Sequence, residues 1–406
     1  MILSMDSICL MLGDAFDVIE TELIGSGKHH SLRVASLVAS MAKSAGLSSE
    51  KLLPLMTCAL FHDNALTEHI LTHRINGYQT VDLGMHCIKG QKNVEWLPFE
   101  SGVDDYILHH HSCESGAGPF GVKEFPLEAA IIGAADHIDA SMHLDRVCRA
   151  DLNAARDKIA KHMGTFASRE ATELLLDVLN LDLLASLHAE NIHDTIKHLY
   201  PDWKTTINDK TILNLADFIA HIIDCKSVFT RKHTQQIANR AWLAGAYYGY
   251  DQEEKTKLYL AAALHDIGKI VTPTGILEKP GKLDRDEYNI IMQHVAHTAN
   301  WLETVDGLGD VAKWASQHHE KLDGSGYPFG LTAAELSFNS RLIACIDIYQ
   351  AISEKRPYHE ARSHEDTMVI LYDMARKGLL DSDIVKDMDA IMACYSLCDI
   401  PAPLIA

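Results

Sequence analysis

His265 and Asp266 offer a nitrogen ligand and an oxygen ligand side by side in the stretch Leu264-His265-Asp266-Ile267-Gly268-Lys269. A His-Asp pair alone is common and decides nothing. Here His233 precedes His265 by 32 positions, His294 follows it by 29, and a second adjacent pair, His318-His319, is followed 28 positions later by Asp347. Five histidines and two carboxylates are enough ligands for two divalent metal ions, and Asp266 is the natural bridge between them. Imidazole and carboxylate without thiolate suit iron or manganese first, with nickel, zinc or magnesium as further options. Two such ions side by side would clamp a phosphoester, deprotonate a shared water and stabilise the leaving oxygen.

Lys269, one turn past His265, is a candidate to neutralise phosphate charge or to deliver a proton to the leaving group. Its bland alternative is a lysine answering a helix macrodipole. Arg356, in Lys355-Arg356-Pro357-Tyr358, is a candidate to hold a second phosphate or a guanine edge; otherwise it is a loop arginine.

Helices must position these groups. Apolar residues at three- and four-residue spacing predict helices over 212–229, 234–248 and 255–264, with Gly268 as the stop. Further helices are predicted over 284–301, 310–318 and 340–353. The run Asp323-Gly324-Ser325-Gly326-Tyr327-Pro328 is loop chemistry. Little of the chain alternates as strands do, so the class is all-α.

The chain also repeats itself. At a shift of 203, His30 falls on His233, Gly46 on Gly249, and Phe61-His62-Asp63 on Leu264-His265-Asp266. At a shift of 209, residues 108–121 run against 317–330, and Asp136 then pairs with Asp347. Ordered matches with a slowly growing offset indicate two copies of one domain. Tyr200-Pro201-Asp202-Trp203 breaks the helical pattern and sets the expected boundary, giving domains 1–203 and 204–406. The first copy keeps His30, His62, Asp63, His109, His110 and Asp136, with His86 answering His294. It has Leu66 in place of the lysine and Ala117-Gly118-Pro119 in place of Gly326-Tyr327-Pro328. It is expected to be a degenerate, non-catalytic copy, with metal binding left open.

Composition narrows the partners. A formal net charge of −20 excludes a general DNA or RNA binder, which would need a basic face. Nine scattered cysteines without C-x-x-C spacing read as reduced thiols of a cytoplasmic protein. Residues 1–12 lack a basic leader and run into Asp14 and Asp17, so an amphipathic helix is expected there. No apolar run is long enough to predict a membrane span.

The motifs from His265-Asp266-x-Gly268-Lys269, through Lys279-Pro280-Gly281 and His318-His319-Glu320-x-x-Asp323-Gly324-x-Gly326-Tyr327-Pro328, to Asp347-x-Tyr349 and Arg356-Pro357-Tyr358 resemble the HD-GYP phosphodiesterase family over most of residues 205–400. The resemblance implies a helical HD fold with two or three metals and hydrolysis of a bacterial cyclic dinucleotide, cyclic di-GMP or 3',3'-cyclic GMP-AMP, to a linear dinucleotide. It places His233, His265, Asp266, His294, His318, His319 and Asp347 on ligand positions, Lys269 on a catalytic lysine and Arg356 on a substrate arginine. Phe229 stands where three-metal members carry a glutamate, so two ions are expected. Gln350 stands where some cyclic di-GMP enzymes place an aspartate near the guanine, making it a candidate substrate contact and weakening a strict cyclic di-GMP preference. A degenerate copy ahead of an intact one resembles the cyclic GMP-AMP enzymes of the family. A diguanylate-cyclase-type protein at the Gly-Tyr-Pro loop and a homodimer are the expected protein partners; no DNA and no membrane partner is expected. The alternatives are a nucleotidase acting on phosphomonoesters and a cyclic-dinucleotide receptor.

Overall fold

The computed structural model describes residues 2–23, 25–65, 82–100, 103–116, 118–147, 151–161, 163–164, 167–224, 231–279, 281–354 and 361–394. Leu66, Phe229 and Arg356 lie outside the described residues. Among the described residues the regular structure is helical, as the periodicity predicts, apart from two three-residue strands, β1 (Ile2–Ser4) and β2 (Lys204–Thr206). No helix among the described residues is long and apolar enough to cross a membrane. The chain divides into two compact units, residues 4–205 and residues 206–406 together with 1–3.

The first unit contains α1 (Met5–Leu23), α2 (His30–Ser44), α3 (Ser49–Leu60), α4 (Leu83–Val94), α5 (Leu127–Met142), α6 (Leu152–Lys161), α7 (Arg169–Val178), α8 (Leu181–Ser186) and α9 (Ile192–Leu199). Its axis is α2, which packs on α1, α3, α5, α7 and α9 and buries Leu32, Val34, Leu37, Val38 and Met41. A helix so enclosed must be apolar on nearly every face. The pattern over 169–187 predicts one helix, but the structure breaks it at Asn180. That residue is extended, and its side chain accepts a hydrogen bond from the Leu183 N–H, so a new helix starts there.

The second unit contains α10 (Asp209–Asp224), α11 (Arg231–Tyr247), α12 (Gln252–Leu264), α13 (Thr274–Leu277), α14 (Arg285–Met292), α15 (His294–Leu302), α16 (Gly309–Ala315), α17 (Phe338–Ser353), α18 (His364–Arg376) and α19 (Ser382–Cys394). The α11–α12 connection turns at Gly249, whose φ of 70° matches that of Gly46 at the equivalent point of the first unit. Asp251 and Glu254 then cap α12 reciprocally. From Leu258 to Leu264 every residue of α12 is buried, which fixes where the His265-Asp266 turn emerges.

Two expectations are corrected here. The helix predicted over 284–301 is two, α14 and α15, because the Gln293 N–H tightens onto Ile290 O three residues back. Gly268 is also not a helix stop: it lies inside a 3-10 turn, Ile267–Val271, without a left-handed φ. Its purpose is close approach. A Cβ at Gly268 would lie 1.9 Å from the backbone oxygen of His294 and 2.8 Å from the Thr298 nitrogen. Thr298 bridges the same junction, accepting from Gly268 N at 3.0 Å and donating to His265 O at 3.1 Å. Gly268→Ala should therefore cost about 1–3 kcal/mol or more, as overpacking against backbone does. Gly275→Ala, whose Cβ meets nothing within 4 Å, should stay within about 0.5 kcal/mol of the parent. Urea unfolding of the pair measures the difference; equal midpoints would refute the close-packing argument.

Candidate metal centre

The imidazoles of the second unit are aimed by a recurring device. His265, His294 and His318 each sit at or just beyond a helix end, where backbone carbonyls lack partners. Each donates Nδ1–H to the carbonyl three residues back: His265 to Ala262 O at 2.7 Å, His294 to Ile291 O at 2.6 Å, and His318 to Ala315 O at 2.7 Å. A carbonyl only accepts, so the neutral ring carries its lone pair on Nε2, facing the others. His233, in the first turn of α11, reaches the same state through Glu354, with Nδ1 2.9 Å from Glu354 Oε2. A carboxylate behind a ligating histidine fixes the ring and raises its basicity.

Asp266 stands between two groups of these nitrogens. Its Oδ2 lies 3.1 Å from His265 Nε2, and its Oδ1 lies 3.3 Å from His294 Nε2 and 3.8 Å from His318 Nε2. Asp347, on α17, completes the His265 side, with Oδ1 3.7 Å from His233 Nε2 and 3.8 Å from His265 Nε2. The donor atoms of His233, His265 and Asp347 form one cluster within 4.8 Å, and those of His294, His318 and His319 form another. Metal–ligand bonds of about 2.1 Å put donors around one cation about 3–3.5 Å apart. The 3.1 and 3.3 Å separations match this, and those of 3.7–3.8 Å are too long for a hydrogen bond and would close by a few tenths of an ångström around an ion. His265 Nε2 and Asp266 Oδ1 are buried without a hydrogen-bond partner. Leaving such atoms unsatisfied is costly, and a cation at each cluster would satisfy both. The seven residues singled out by spacing are thus brought together, and their donors fit two divalent ions.

Electrostatics favour the ligating forms of Asp266, His318 and His319, whereas Asp266 and Asp347 raise His265 against the effect of its burial. Burial pushes the Asp266 carboxyl up, but the nearby charges of His265 and Lys269 outweigh it and hold the group well below the usual carboxylate range. Burial, with His319 and His265 as neighbours, holds His318 far below its ordinary value, and burial lowers His319 to about 4. Both rings are neutral at pH 7, as metal ligands must be. Lys269 Nζ is 2.5 Å from Asp266 Oδ2, so its ammonium sits directly on this carboxylate.

Gln350 is not where a substrate contact would be. It is fully buried; its Oε1 accepts from Arg240 Nε at 2.7 Å and its Nε2 donates to Gln236 Oε1 at 2.6 Å. With both ends of the amide engaged, Gln350 ties α17 to α11 and offers a nucleobase nothing. Two contributors escaped the sequence reading, and a third, Glu320, enters it only as part of the motif. Glu354 orients His233, and Thr298 pins the His-Asp turn. Glu320 closes the Gly-Tyr-Pro loop by accepting from Phe329 N at 2.7 Å and Leu331 N at 2.9 Å. Thr298 and Glu320 are each buried polar residues, a signal visible only once burial is known. The loop tyrosine, Tyr327, lies against His319 with ring centroids 4.7 Å apart.

In the first unit the register of the histidine pair is corrected. His110 and His111, not His109 and His110, answer His318 and His319. His110 Nδ1 takes the carbonyl of Ile107 three residues back, at 2.6 Å, whereas His109 turns to Ser112 and Phe120. Gly118 confirms the offset: its Cβ position lies 2.5 Å from His111 O, as that of Gly326 lies 2.6 Å from His319 O.

Comparison with known proteins agrees with this architecture. The HD domain family matches residues 28–141 and again residues 217–384, so the chain is a tandem of two HD domains. It is homologous to phosphodiesterases of the HD-GYP kind. It is 29% identical over 367 residues to the 3'3'-cGAMP-specific phosphodiesterase 1 of Vibrio cholerae, covering 88% of this chain and 85% of the relative. It is 33% identical over 169 residues to a cyclic di-GMP phosphodiesterase response regulator of Xanthomonas campestris, covering 40% of this chain and 43% of that one. The fold is shared with a solved V. cholerae cyclic GMP-AMP-specific phosphodiesterase, with a TM-score of 0.68, 21% identity and coverage of 98% and 99% of the two chains. HD domains are metal-dependent hydrolases, and the His/Asp clusters described above are where such metals would sit.

Glu354→Ala should weaken metal affinity about 10–100-fold, as loss of a carboxylate behind a ligand histidine typically does. Glu354→Gln, which keeps an acceptor, should fall between. Competition with a chromogenic chelator reads this; unchanged affinity in both variants would remove Glu354 from the centre.

Proposed function

We propose that this protein is a metal-dependent phosphodiesterase that opens a bacterial cyclic dinucleotide to a linear one, with 3',3'-cyclic GMP-AMP preferred over cyclic di-GMP. The carrying observation is Asp266 itself: one buried carboxylate with an oxygen facing each histidine group and Lys269 beside it. Supporting the class are homologues named as phosphodiesterases of cyclic dinucleotides. Supporting the preference is coverage: the cyclic GMP-AMP-specific relative aligns across both units, the cyclic di-GMP relative across less than half the chain.

Two divalent ions, iron or manganese first, would be held by His233, His265 and Asp347 on one side and by His294, His318 and His319 on the other, with Asp266 shared. When bound, such ions polarise the phosphate and acidify a water. The chain's own residues do the remaining work. Asp266 fixes the spacing of the two ligand groups because a buried carboxylate between helix ends cannot swing. Lys269 Nζ holds a proton beside that bridge, placed to neutralise phosphate charge and to protonate the departing sugar oxygen. Tyr327, braced on His319, walls the approach on the Gly-Tyr-Pro loop side. A cytoplasmic location, where such a second messenger is met, belongs to the same reading. So do the arginine at 356 as a phosphate or guanine contact, a homodimer, and a diguanylate-cyclase-type partner at that loop.

With a panel of cyclic dinucleotides, the manganese- or iron-loaded protein should yield linear dinucleotides, fastest from 3',3'-cyclic GMP-AMP. Chelation should abolish turnover and reloading should restore it. Lys269→Met should lower kcat about 10²–10⁴-fold while keeping its metals, the usual worth of a positioned general acid. Hydrolysis of mononucleotides alone, or binding of the cyclic substrates without turnover, would overturn the proposal.

A further inference from the structure

The clusters of the first unit repeat the layout of those of the second, except that His86 Nδ1 lacks the carbonyl partner that His294 has. On one side, His30 Nε2 lies 3.2 Å and His62 Nε2 3.5 Å from Asp136 Oδ1, as His233 and His265 approach Asp347. On the other, Asp63 Oδ1 lies 3.1 Å from His86 Nε2 and 4.0 Å from His110 Nε2, as Asp266 Oδ1 faces His294 and His318. Asp63 Oδ2 is 3.6 Å from His62 Nε2, so this carboxylate also stands between two groups. His86 and His110 are 3.5 Å apart at Nε2, against 3.4 Å for His294 and His318. The aiming device is repeated as well. His62 donates Nδ1–H to Ala59 O at 2.9 Å, and His30 Nδ1 is backed by Asp139 at 2.7 Å, in the place Glu354 takes behind His233. His111 stacks on His110 with centroids 3.9 Å apart, as His319 does on His318 at 4.1 Å.

From this geometry we infer that the first HD domain carries its own two-ion centre, a second site for divalent transition cations. Two further observations demand cations there. His62 Nε2 and Asp63 Oδ1 are buried without a hydrogen-bond partner and aimed into the cluster, with His62 fully buried and Asp63 at 8% exposure. The site is also ringed by buried carboxyl groups, of which burial lifts Glu20 to about 8 and Asp17 to about 6. Beside Asp63 and Asp136 stand Asp139, Asp17 and Glu20, and Asp17 Oδ2 and Glu20 Oε1 have no partner either. Glu20 is close enough for its charge to bear on Asp63, His30 and His62. The buried guanidinium of Arg33 is spent on Asp139, with Nε at 2.9 Å and Nη2 at 2.8 Å. Carboxyl groups packed this densely in a dry interior must be protonated or neutralised by cations, and two divalent ions would let them ionise. Chemistry is not implied. The sequence carries Leu66 where Lys269 stands in the second copy, so the proton donor for a leaving oxygen is gone. The ions would instead tie the start of α2, the end of α3 and the first turn of α4 to the middle of α5.

Metal counting on the full-length chain tests this. Wild type, Asp63→Asn, Asp266→Asn and the double variant would be stripped with chelator, reloaded with manganese, desalted and assayed for metal per chain. The expected contents are four, two, two and none, with circular dichroism reporting the fold. Two ions in wild type, two in Asp266→Asn and none in Asp63→Asn would still support the first-unit centre while removing the second. An Asp63→Asn variant that keeps the wild-type content, or an Asp266→Asn variant that keeps none, overturns the inference. Should Asp63→Asn fail to fold, the Asp266→Asn count alone decides.

Discussion

A carboxylate buried among imidazoles needs positive charge on both of its faces, and that requirement organises the second unit. Asp266 is nearly inaccessible, yet it is held ionised. Without metal it leans on Lys269 and on His265, which Asp266 and Asp347 push above its ordinary value despite burial; with metal His265 would be a neutral ligand. The two states compete for the same lone pairs. The scaffold is built to hold the donors still in either case. Helices α11, α12 and α17 present His233, His265 and Asp347, while the junction of α14 with α15 and the end of α16 present His294, His318 and His319.

The precision comes from a cheap source. A helix leaves its last carbonyls unsatisfied, and a histidine placed just past the end can take one of them with Nδ1. The bond satisfies the helix and fixes the tautomer and direction of the ring at once. It is used at His265, His294 and His318, and again at His62 and His110. Where a ligand begins a helix instead, as at His30 and His233, no such carbonyl is free and a carboxylate does the same work. Duplication of the domain therefore copied a way of aiming rings along with the rings themselves.

Spacing made the seven candidate donors, the tandem repeat and the helical class legible, because ligand identity and helical period are both written locally. Partners that meet across elements were not. Glu354 and Thr298 lie 121 and 33 positions from the residues they support, and nothing in the sequence marks either. Gln350 was a candidate substrate contact because it stands where some cyclic di-GMP enzymes place an aspartate near the guanine, yet in this fold it turns into the interior. The slip from His110 to His109 has the same root. Three histidines in a row allow two registers, and only the carbonyl three residues back chooses between them. The break at Gln293 escaped because a 3-10 tightening leaves the apolar period almost unchanged.

The most direct test is an anomalous-scattering map of manganese-loaded crystals of the full chain. The account predicts two peaks in the second unit, each within bonding distance of one Asp266 oxygen, with the Nε2 atoms of His265 and His318 turned toward different ions. A single peak, or two peaks that do not share Asp266, would contradict it.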